Sequence, residues 1–379
     1  MESVTSVSRN KYDRIVQRES GIELFRIVLM LVIVSHHYVV NSGLSTLISE
    51  NATLTSNIIF LLLFGWGGKT AINCFVLITG YFMCESNITV RKFIKLLLQV
   101  EFYKITIYLI FLLTGYESYS IKGLLKSITP FYSIGSGFTS SYLIFFLFIP
   151  FLNILIHGMD KKIHLKLIGL CVLVFTILPS FILAKVTFSY VFWFIIIYLI
   201  AAYIRLYPEN WFYSLKIWSI TMLVSLGLSW CSVIAIAWLE KLLYINGYQY
   251  FFVADSNKIL ALVTAVCAFM YFKNLHVNYN KFINTIAAST FGVLLIHANS
   301  DTMRTWLWRD ILNNVHYFDS SLLVFHAVCS VAAIYVICTF IDMLRIRFLE
   351  KPFFRLYDKK LGQGLWNYKR IFTWLHNGG

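Results

Sequence analysis

The sequence predicts an all-α polytopic membrane protein. Of its 379 residues, 59% are hydrophobic and only 13% are charged, whereas soluble domains carry about 25% charged residues. Apolar stretches recur along the whole chain, and several have the roughly 20 residues that are needed to cross a bilayer. Most charged residues lie in the short segments between these stretches. Together these observations exclude a soluble globular domain.

Ten apolar stretches predict about ten transmembrane helices. They are residues 21–42, 56–84, 97–115, 138–157, 165–184, 188–204, 217–239, 256–275, 283–300 and 321–343. The segments between them are too short for an attached soluble domain, so residues 1–343 are expected to form one membrane domain. Residues 344–379 mix basic and aromatic side chains, which is typical of a segment that lies along the inner membrane surface.

The distribution of basic residues predicts the orientation of the chain. A cytosolic N-terminus places 22 of the Lys and Arg residues in cytosolic segments and seven in external ones. The positive-inside rule favours this arrangement, with both termini in the cytosol. The same rule accounts for the net charge of +14, because the basic residues lie in short segments that flank the apolar helices. Membrane lipid is therefore an expected partner, and nucleic acid is not.

The first apolar stretch carries Glu23, Arg26, His36 and His37. A charge inside a membrane helix costs roughly 2.5–3.5 kcal/mol, which makes these residues functional candidates. At about 100° per residue, His37 shares a helix face with Arg26 and Glu23, roughly 16 Å from Arg26, whereas His36 points about 80° away towards a neighbouring helix or lipid. Imidazole is a common general base near neutral pH. The alternative is an interhelical ion pair with a structural histidine.

A basic cluster follows the second stretch, formed by Arg91, Lys92 and Lys95. Arg91 and Lys95 are spaced i, i+4, so they share one helix face. Such a cluster could hold the phosphates of a cytosolic nucleotide-like donor. Alternatively, it could serve only as a signal for membrane orientation.

Other polar residues lie within apolar stretches. Lys69 and Asn73 are one helical turn apart, and together with His297 they either contact an acceptor substrate or serve as polar residues of the core. Lys69 itself either meets a polar acceptor or extends to the outer interface. His297 is more typical of a hydrogen-bonded core residue than of a catalyst. Asp342 and Arg345, spaced i, i+3, predict an ordinary helix-end ion pair.

Metal chemistry is not expected from this sequence. Its seven cysteines lie in apolar stretches without a C-x-x-C pair, which is typical of small buried hydrophobic residues. The His, Asp and Glu residues show no spacing typical of metal ligands. We therefore predict neither a metal ion nor a bound cofactor.

Short motifs in a fixed order along the chain carry a family resemblance. The first is an acidic-x-x-Arg-x(10)-His pattern, supplied by Glu23, Arg26 and His37, and the cluster that begins at Arg91 comes later. The remaining motifs are residues 75–81, 150–153, 192–208, 289–297 and 341–345. In this ordered set the chain resembles acyltransferase family 3, bacterial membrane enzymes that acylate surface polysaccharides and related glycans.

The resemblance implies a ten-helix, multi-pass enzyme of the bacterial inner membrane. Its co-substrate would be cytosolic acyl-CoA, expected to be acetyl-CoA. The acyl group would pass to a hydroxyl of a cell-surface glycan or of its lipid-linked precursor. Other proteins of a polysaccharide pathway would be its partners.

The resemblance also implies roles for individual residues. His37 would be the catalytic base, Arg26 its essential partner, and Glu23 a third member of the site. The donor-binding residues would be Arg91, Lys92 and Lys95. Lysine at positions 92 and 95 departs from the arginines of the family pattern, and an ammonium group cannot bind phosphate in the bidentate manner of a guanidinium.

A carrier or flippase for a glycan precursor or a small metabolite is the alternative function. Such a protein would also have about ten helices, intramembrane charges and short loops. Many transporters, however, show internal repeats with helices broken at matching Gly or Pro positions, and this sequence shows neither. A polysaccharide polymerase is disfavoured because the sequence offers no large external loop.

Overall fold

The computed structural model describes residues 19–86, 88–181, 183 and 185–361. All regular structure within these ranges is helical, without any β-strand, so the predicted all-α class is confirmed. The first nine helices are α1 (Ser20–Val40), α2 (Leu44–Glu50), α3 (Ser56–Gly65), α4 (Gly68–Met83), α5 (Val90–Leu113), α6 (Ile121–Ile128), α7 (Phe138–His157), α8 (Lys161–Val172) and α9 (Leu178–Ser180). The others are α10 (Tyr190–Leu206), α11 (Leu215–Leu243), α12 (Ile259–Asn274), α13 (Lys281–Ala287), α14 (Thr290–His297), α15 (Asp301–Thr305), α16 (Leu323–Arg345) and α17 (Lys351–Leu361).

The lengths and hydropathy of these helices are those of a multi-pass membrane protein. In the described part of the chain, seven helical segments are long and apolar enough to cross a membrane. Three of them combine consecutive helices, namely Ser56–Met83, Lys161–Ser180 and Leu323–Lys359. The number of such segments is eight if Lys281–His297 and Asp301–Ile311, which meet at 95°, form one bent span. Two shorter apolar helices, α10 and α12, occupy two more of the predicted stretches. Each of the ten predicted stretches thus contains a helix, while the side of the termini stays a prediction.

Helix α1 lies at the centre of the bundle. It packs against α3, α4, α12, α13, α14 and α16. Its N-terminal end approaches α12 closely: Phe25 stacks on Phe272 with ring centroids 4.4 Å apart, and a Cβ at Gly21 would lie 2.7 Å from the carbonyl oxygen of Leu275. Because small residues let helices approach in this way in membranes, α1 is held by protein on most sides.

The second predicted stretch is broken between α3 and α4, and the imidazole of His36 lies against the break. The Nδ1 atom of His36 is 2.5 Å from the carbonyl oxygen of Gly65, which is free to accept because α3 ends there. A side chain at Gly68 would overlap the same ring. The break therefore brings the start of α4 against the C-terminal half of α1.

Helix α16 does not end where the membrane domain was expected to end. A π-helical turn, Ile346–Glu350, joins it to α17, so that Leu323–Lys359 forms one long helix. The predicted border after residue 343 falls inside this helix. Residues 1–18 and 362–379, which include the N-terminal bases and much of the predicted tail, lie outside the described residues.

The orientation can be tested by cysteine labelling. In a variant without the exposed thiols of Cys231 and Cys329, a cysteine at Ser118 should react with an impermeant maleimide on intact cells. A cysteine at Lys281, in a segment predicted to be cytosolic, should react only after permeabilisation. Both positions are exposed, so accessibility from one side decides the result, and the reverse pattern would overturn the predicted orientation.

Candidate active site

A cavity of about 330 Å³ lies at the C-terminal end of α1. It is enclosed by the C-terminal halves of α1 and α5, the start of α4, the segment that joins α6 to α7, and the ends of α14 and α15. His36 and His37 both line it. We call this cavity the histidine pocket.

His37 is held by a second histidine and a backbone carbonyl. Its Nδ1 atom lies 2.9 Å from Nε2 of His297, and Nδ1 of His297 lies 2.6 Å from the carbonyl oxygen of Val293. A carbonyl only accepts hydrogen bonds, so Nδ1 of His297 carries the hydrogen and, in the neutral ring, Nε2 accepts. Nδ1 of neutral His37 then donates to His297. The basic lone pair of His37 is thereby assigned to Nε2, which has no hydrogen-bond partner among the described residues.

His36 contributes to the same pocket by a different route. Its bond to Gly65 matches the expectation that this ring faces a neighbouring helix. Its ring also lines the histidine pocket, 5.7 Å from the ring of His37 by centroids. The helix phase alone did not indicate this, because the break between α3 and α4 opens the pocket on the side that His36 faces.

Among the described residues, four cationic side chains and no carboxylate line the histidine pocket. They are Lys69, Lys104, Lys126 and Arg304. Lys69 donates to the hydroxyl of Tyr190 at 2.8 Å, so of its two predicted alternatives the polar acceptor is the one observed. Lys104 donates to the carbonyl oxygen of Thr129 at 2.5 Å. The pocket is therefore an electropositive environment for any bound molecule.

Arg26 and Glu23 lie apart from this pocket. Nε of Arg26 is 3.8 Å from a carboxylate oxygen of Glu23, and it makes no hydrogen bond within the described part of the chain. The guanidinium is close enough to Tyr142 for electrostatic interaction, and the Tyr142 hydroxyl is hydrogen-bonded to Thr79 at 2.9 Å. Arg26 thus occupies a second polar site, roughly 16 Å along α1 from His37.

The basic cluster lies at the N-terminal end of α5, where two of its members contact the C-terminal segment. Arg91 forms two hydrogen bonds with Asp358, at 2.9 and 3.0 Å, and Lys95 lies 2.7 Å from Glu350. Lys92 is exposed in the same turn. At about 1.5 Å per residue, Lys104 in the pocket is roughly 14–20 Å further along the same helix. The cluster and the pocket are therefore separate sites.

Asn73 is a core residue. It is fully buried, donates to the carbonyl oxygen of Ser256 at 2.7 Å and accepts from the indole of Trp193 at 2.8 Å. These bonds tie α4 to α10 and to the segment before α12. Of the two predicted alternatives, the structure places Asn73 in the core and away from the histidine pocket.

The ion pair of Asp342 and Arg345 forms part of a buried network. Asp342 is fully buried, and its Oδ1 accepts from Arg345 at 2.8 Å and from the Tyr103 hydroxyl at 2.8 Å. Glu350 bonds the other side of Arg345 at 2.9 Å. The prediction of an ordinary helix-end pair was wrong about the environment, because α14 packs against α16 at Gly292, where a Cβ would overlap the Asp342 side chain, and α5 supplies the Tyr103 hydroxyl.

The arrangement defines a multi-pass helical membrane protein with an electropositive, imidazole-lined pocket. A family model described as an acyltransferase domain matches residues 19–343, and the chain belongs to that family, acyltransferase family 3. The protein is accordingly a membrane acyltransferase, and the resemblance seen in the motifs is confirmed. Comparisons with curated proteins and with solved structures gave no match.

The contact between His36 and α4 gives a test of the site's packing. Gly68→Ala should lower the melting temperature of the purified protein and its transferase activity, because overpacking typically costs roughly 1–3 kcal/mol. Gly169→Ala is the matched control: nothing lies within 4 Å of its Cβ position, and alanine in a helix gains roughly 0.5–1 kcal/mol over glycine. An unchanged melting temperature and full activity of Gly68→Ala would contradict the packing.

Proposed function

We propose that the protein transfers an acyl group, expected to be acetyl, from cytosolic acyl-CoA to a hydroxyl of a cell-surface glycan or of its lipid-linked precursor, with Nε2 of His37 as the general base. The observation that supports this best is the chain of hydrogen bonds from Val293 through His297 to His37. It leaves a basic nitrogen on a ring that lines the pocket.

The proposed chemistry is direct transfer. Nε2 of His37 removes the proton of the acceptor hydroxyl while that oxygen attacks the thioester carbon. The new C–O bond forms, the C–S bond breaks, and the proton passes from His37 to the departing CoA thiolate. A cation such as Lys69 would stabilise the negative charge that develops on the thioester oxygen.

His297 acts in this proposal as a positioning residue. It is fully buried, and the bond to Val293 fixes which of its nitrogens accepts. Its Nε2 then holds both the orientation and the tautomer of His37, as a hydrogen-bonded partner does for metal-bound and catalytic histidines. The orientation of the base is thus set by the fold of α14.

The donor is proposed to enter from the basic cluster. α1 and α5 both bring their C-terminal halves to the histidine pocket, while the cluster stands at the N-terminal end of α5. Phosphates of CoA at Arg91 and Lys95 would leave the uncharged pantetheine arm to run along the bundle towards His37. The phosphates must displace Asp358 and Glu350 from the bases.

Replacement of the histidines separates their roles. His37→Ala should reduce transfer by roughly 10²–10⁴-fold, the usual contribution of a general base, while protein remains in the membrane at normal level. His36→Ala should retain substantial activity, because its Nδ1 is engaged with Gly65. Steady-state rates with labelled acetyl-CoA are the measurement. An active His37→Ala protein would remove the general-base mechanism.

His297→Ala should lower activity by roughly 10–100-fold, as loss of an orienting partner typically does. It should also shift the acid limb of the pH profile of kcat, since the tautomer and basicity of His37 are no longer set by a partner. A purely structural role would reduce the amount of folded protein and leave the pH profile unchanged, which would contradict the positioning role.

Two variants with opposite expected effects on KM test the donor site. Replacing Arg91, Lys92 and Lys95 together by Gln should raise KM for acetyl-CoA, whereas Asp358→Asn should lower it by freeing Arg91 from a competing carboxylate. Lys162→Gln with Lys166→Gln is the control, since these exposed bases lie in another predicted cytosolic segment. Little stability should be lost because the cluster is solvated. If none of these changes alters KM, the cluster is only an orientation signal.

A further inference from the structure

The composition of the histidine pocket bears on the acceptor. Four side chains of its lining are cationic, and further lining residues carry hydroxyls, namely Tyr132, Ser133, Ser136, Thr139, Ser140 and Tyr190. Hydroxyl groups can hydrogen-bond the hydroxyls of a sugar, but they do not require a charged ligand. The cations are the feature that needs a separate explanation.

The carboxylates near these cations leave their charge only partly neutralised. Arg304 and Lys126 share a single carboxylate, that of Asp301, at 2.9 and 3.9 Å, and its side chain is 81% exposed. Lys69 is 4.0 Å from Asp255, beyond hydrogen-bonding distance. Buried Nε of Arg304 has no hydrogen-bond partner within the described chain. The pocket can therefore accept an additional anionic group.

Lys104 is the cation that α5 contributes to the pocket. Its ammonium group is 3.8 Å from Glu101, also beyond hydrogen-bonding distance, and its hydrogen bond goes to the neutral carbonyl of Thr129. Neither carboxylate of the two lysine pairs lines the pocket. Cations without a bonded carboxylate thus face the pocket from α4 and from α5.

Apart from the charge of Lys69, which the proposed reaction uses at the thioester oxygen, the donor does not account for these charges. In the proposed function, the phosphates of CoA bind at the N-terminal end of α5, roughly 14 Å or more from Lys104 by helix rise. The part of the donor that enters the histidine pocket is the thioester with its uncharged arm. An anion held beside His37 must then belong to the molecule that brings the attacking hydroxyl.

We infer that the acceptor is an acidic glycan, which carries a carboxylate or a phosphodiester close to the hydroxyl that is acylated; this inference rests on the proposed function. The oxyanion binds Arg304 and Lys126 at the α6 and α15 side of the pocket. The hydroxyl of the same or the adjacent unit is thereby presented to Nε2 of His37. Charge-assisted hydrogen bonds of this kind are stronger than neutral ones and select the anionic acceptor over its neutral analogue.

The experiment compares three acceptors with the purified full-length protein in nanodiscs and acetyl-CoA as donor. They are a glucuronate-containing tetrasaccharide, a glycerol phosphate oligomer and a neutral glucose tetrasaccharide. At least one anionic acceptor should be acetylated with kcat/KM at least about tenfold above that of the neutral one, and the two anionic arms distinguish carboxylate from phosphodiester. The advantage should shrink at high salt, because screening weakens exposed charge pairs.

Substitutions of the pocket cations test whether they cause the preference for an anionic acceptor. Arg304→Gln and Lys126→Gln should each raise KM for the preferred anionic acceptor roughly tenfold and leave KM for acetyl-CoA unchanged. Lys122→Gln is the matched control: it removes the same charge one turn away on α6, is exposed and does not line the pocket. Folding should be preserved because Asp301 is mostly solvated.

Acetyl-CoA hydrolysis without any acceptor separates the two proposals. Consumption of the thioester that depends on His37 supports the proposed function whatever the acceptor preference. If that consumption is present and the neutral tetrasaccharide performs as well as the anionic probes, or no probe is acetylated, the acidic-glycan inference is overturned. Loss of all His37-dependent consumption, with and without probes, would instead overturn the proposed function.

Discussion

The hydrogen bond between the rings of His37 and His297 is the contact on which the candidate site depends. It joins the first helix to α14, so this face of α1 must be covered by protein rather than lipid. Hydrocarbon offers no hydrogen-bond partner, so polar groups at this depth must be satisfied within the bundle. Three features meet this requirement. Helix α1 lies at the centre of the bundle, the break between α3 and α4 supplies an acceptor for His36, and the carbonyl of Val293 accepts from His297.

Electrostatic pairing differs between the two ends of α5. At the N-terminal end, Arg91 and Lys95 are bonded to carboxylates at 2.9 and 2.7 Å. At the pocket, Lys104 and Lys69 have their carboxylates at 3.8 and 4.0 Å. Because the Coulomb energy of a pair falls with separation, uncompensated positive charge is greater at the pocket. A nucleotide-like donor in the proposed reaction must compete with carboxylates for Arg91 and Lys95, whereas Lys69 and Lys104 at the pocket have no bonded carboxylate within the described chain to be displaced. Arg304 is bonded to the carboxylate of Asp301, whose side chain is 81% exposed.

The sequence was sufficient for the membrane class, because hydropathy is a property of composition. The cost of intramembrane polarity also singled out His37, which lines the histidine pocket. Helix phase gives the faces of a single helix, but not which distant helix meets them, so the contact between His297 and His37 could not be predicted. Lys104 was an isolated lysine in an apolar stretch, and Arg304 one of several external bases, until the fold placed both on one cavity. The signal for the burial of Asp342 was a carboxylate within a mostly apolar stretch.

His37 and His297, whose rings are hydrogen-bonded, are 260 positions apart in the chain. Ser20 is likewise bonded to Asn284, and Asn57 to the carbonyl of Phe318. During synthesis, α1 is made first and must wait for the segments beyond residue 280 before its polar side chains meet these partners. The ribosome therefore completes most of the chain before His37 acquires its orientation. In the proposed mechanism, catalytic competence therefore arises late in biogenesis, because a chain that ends before α14 lacks both His297 and Val293.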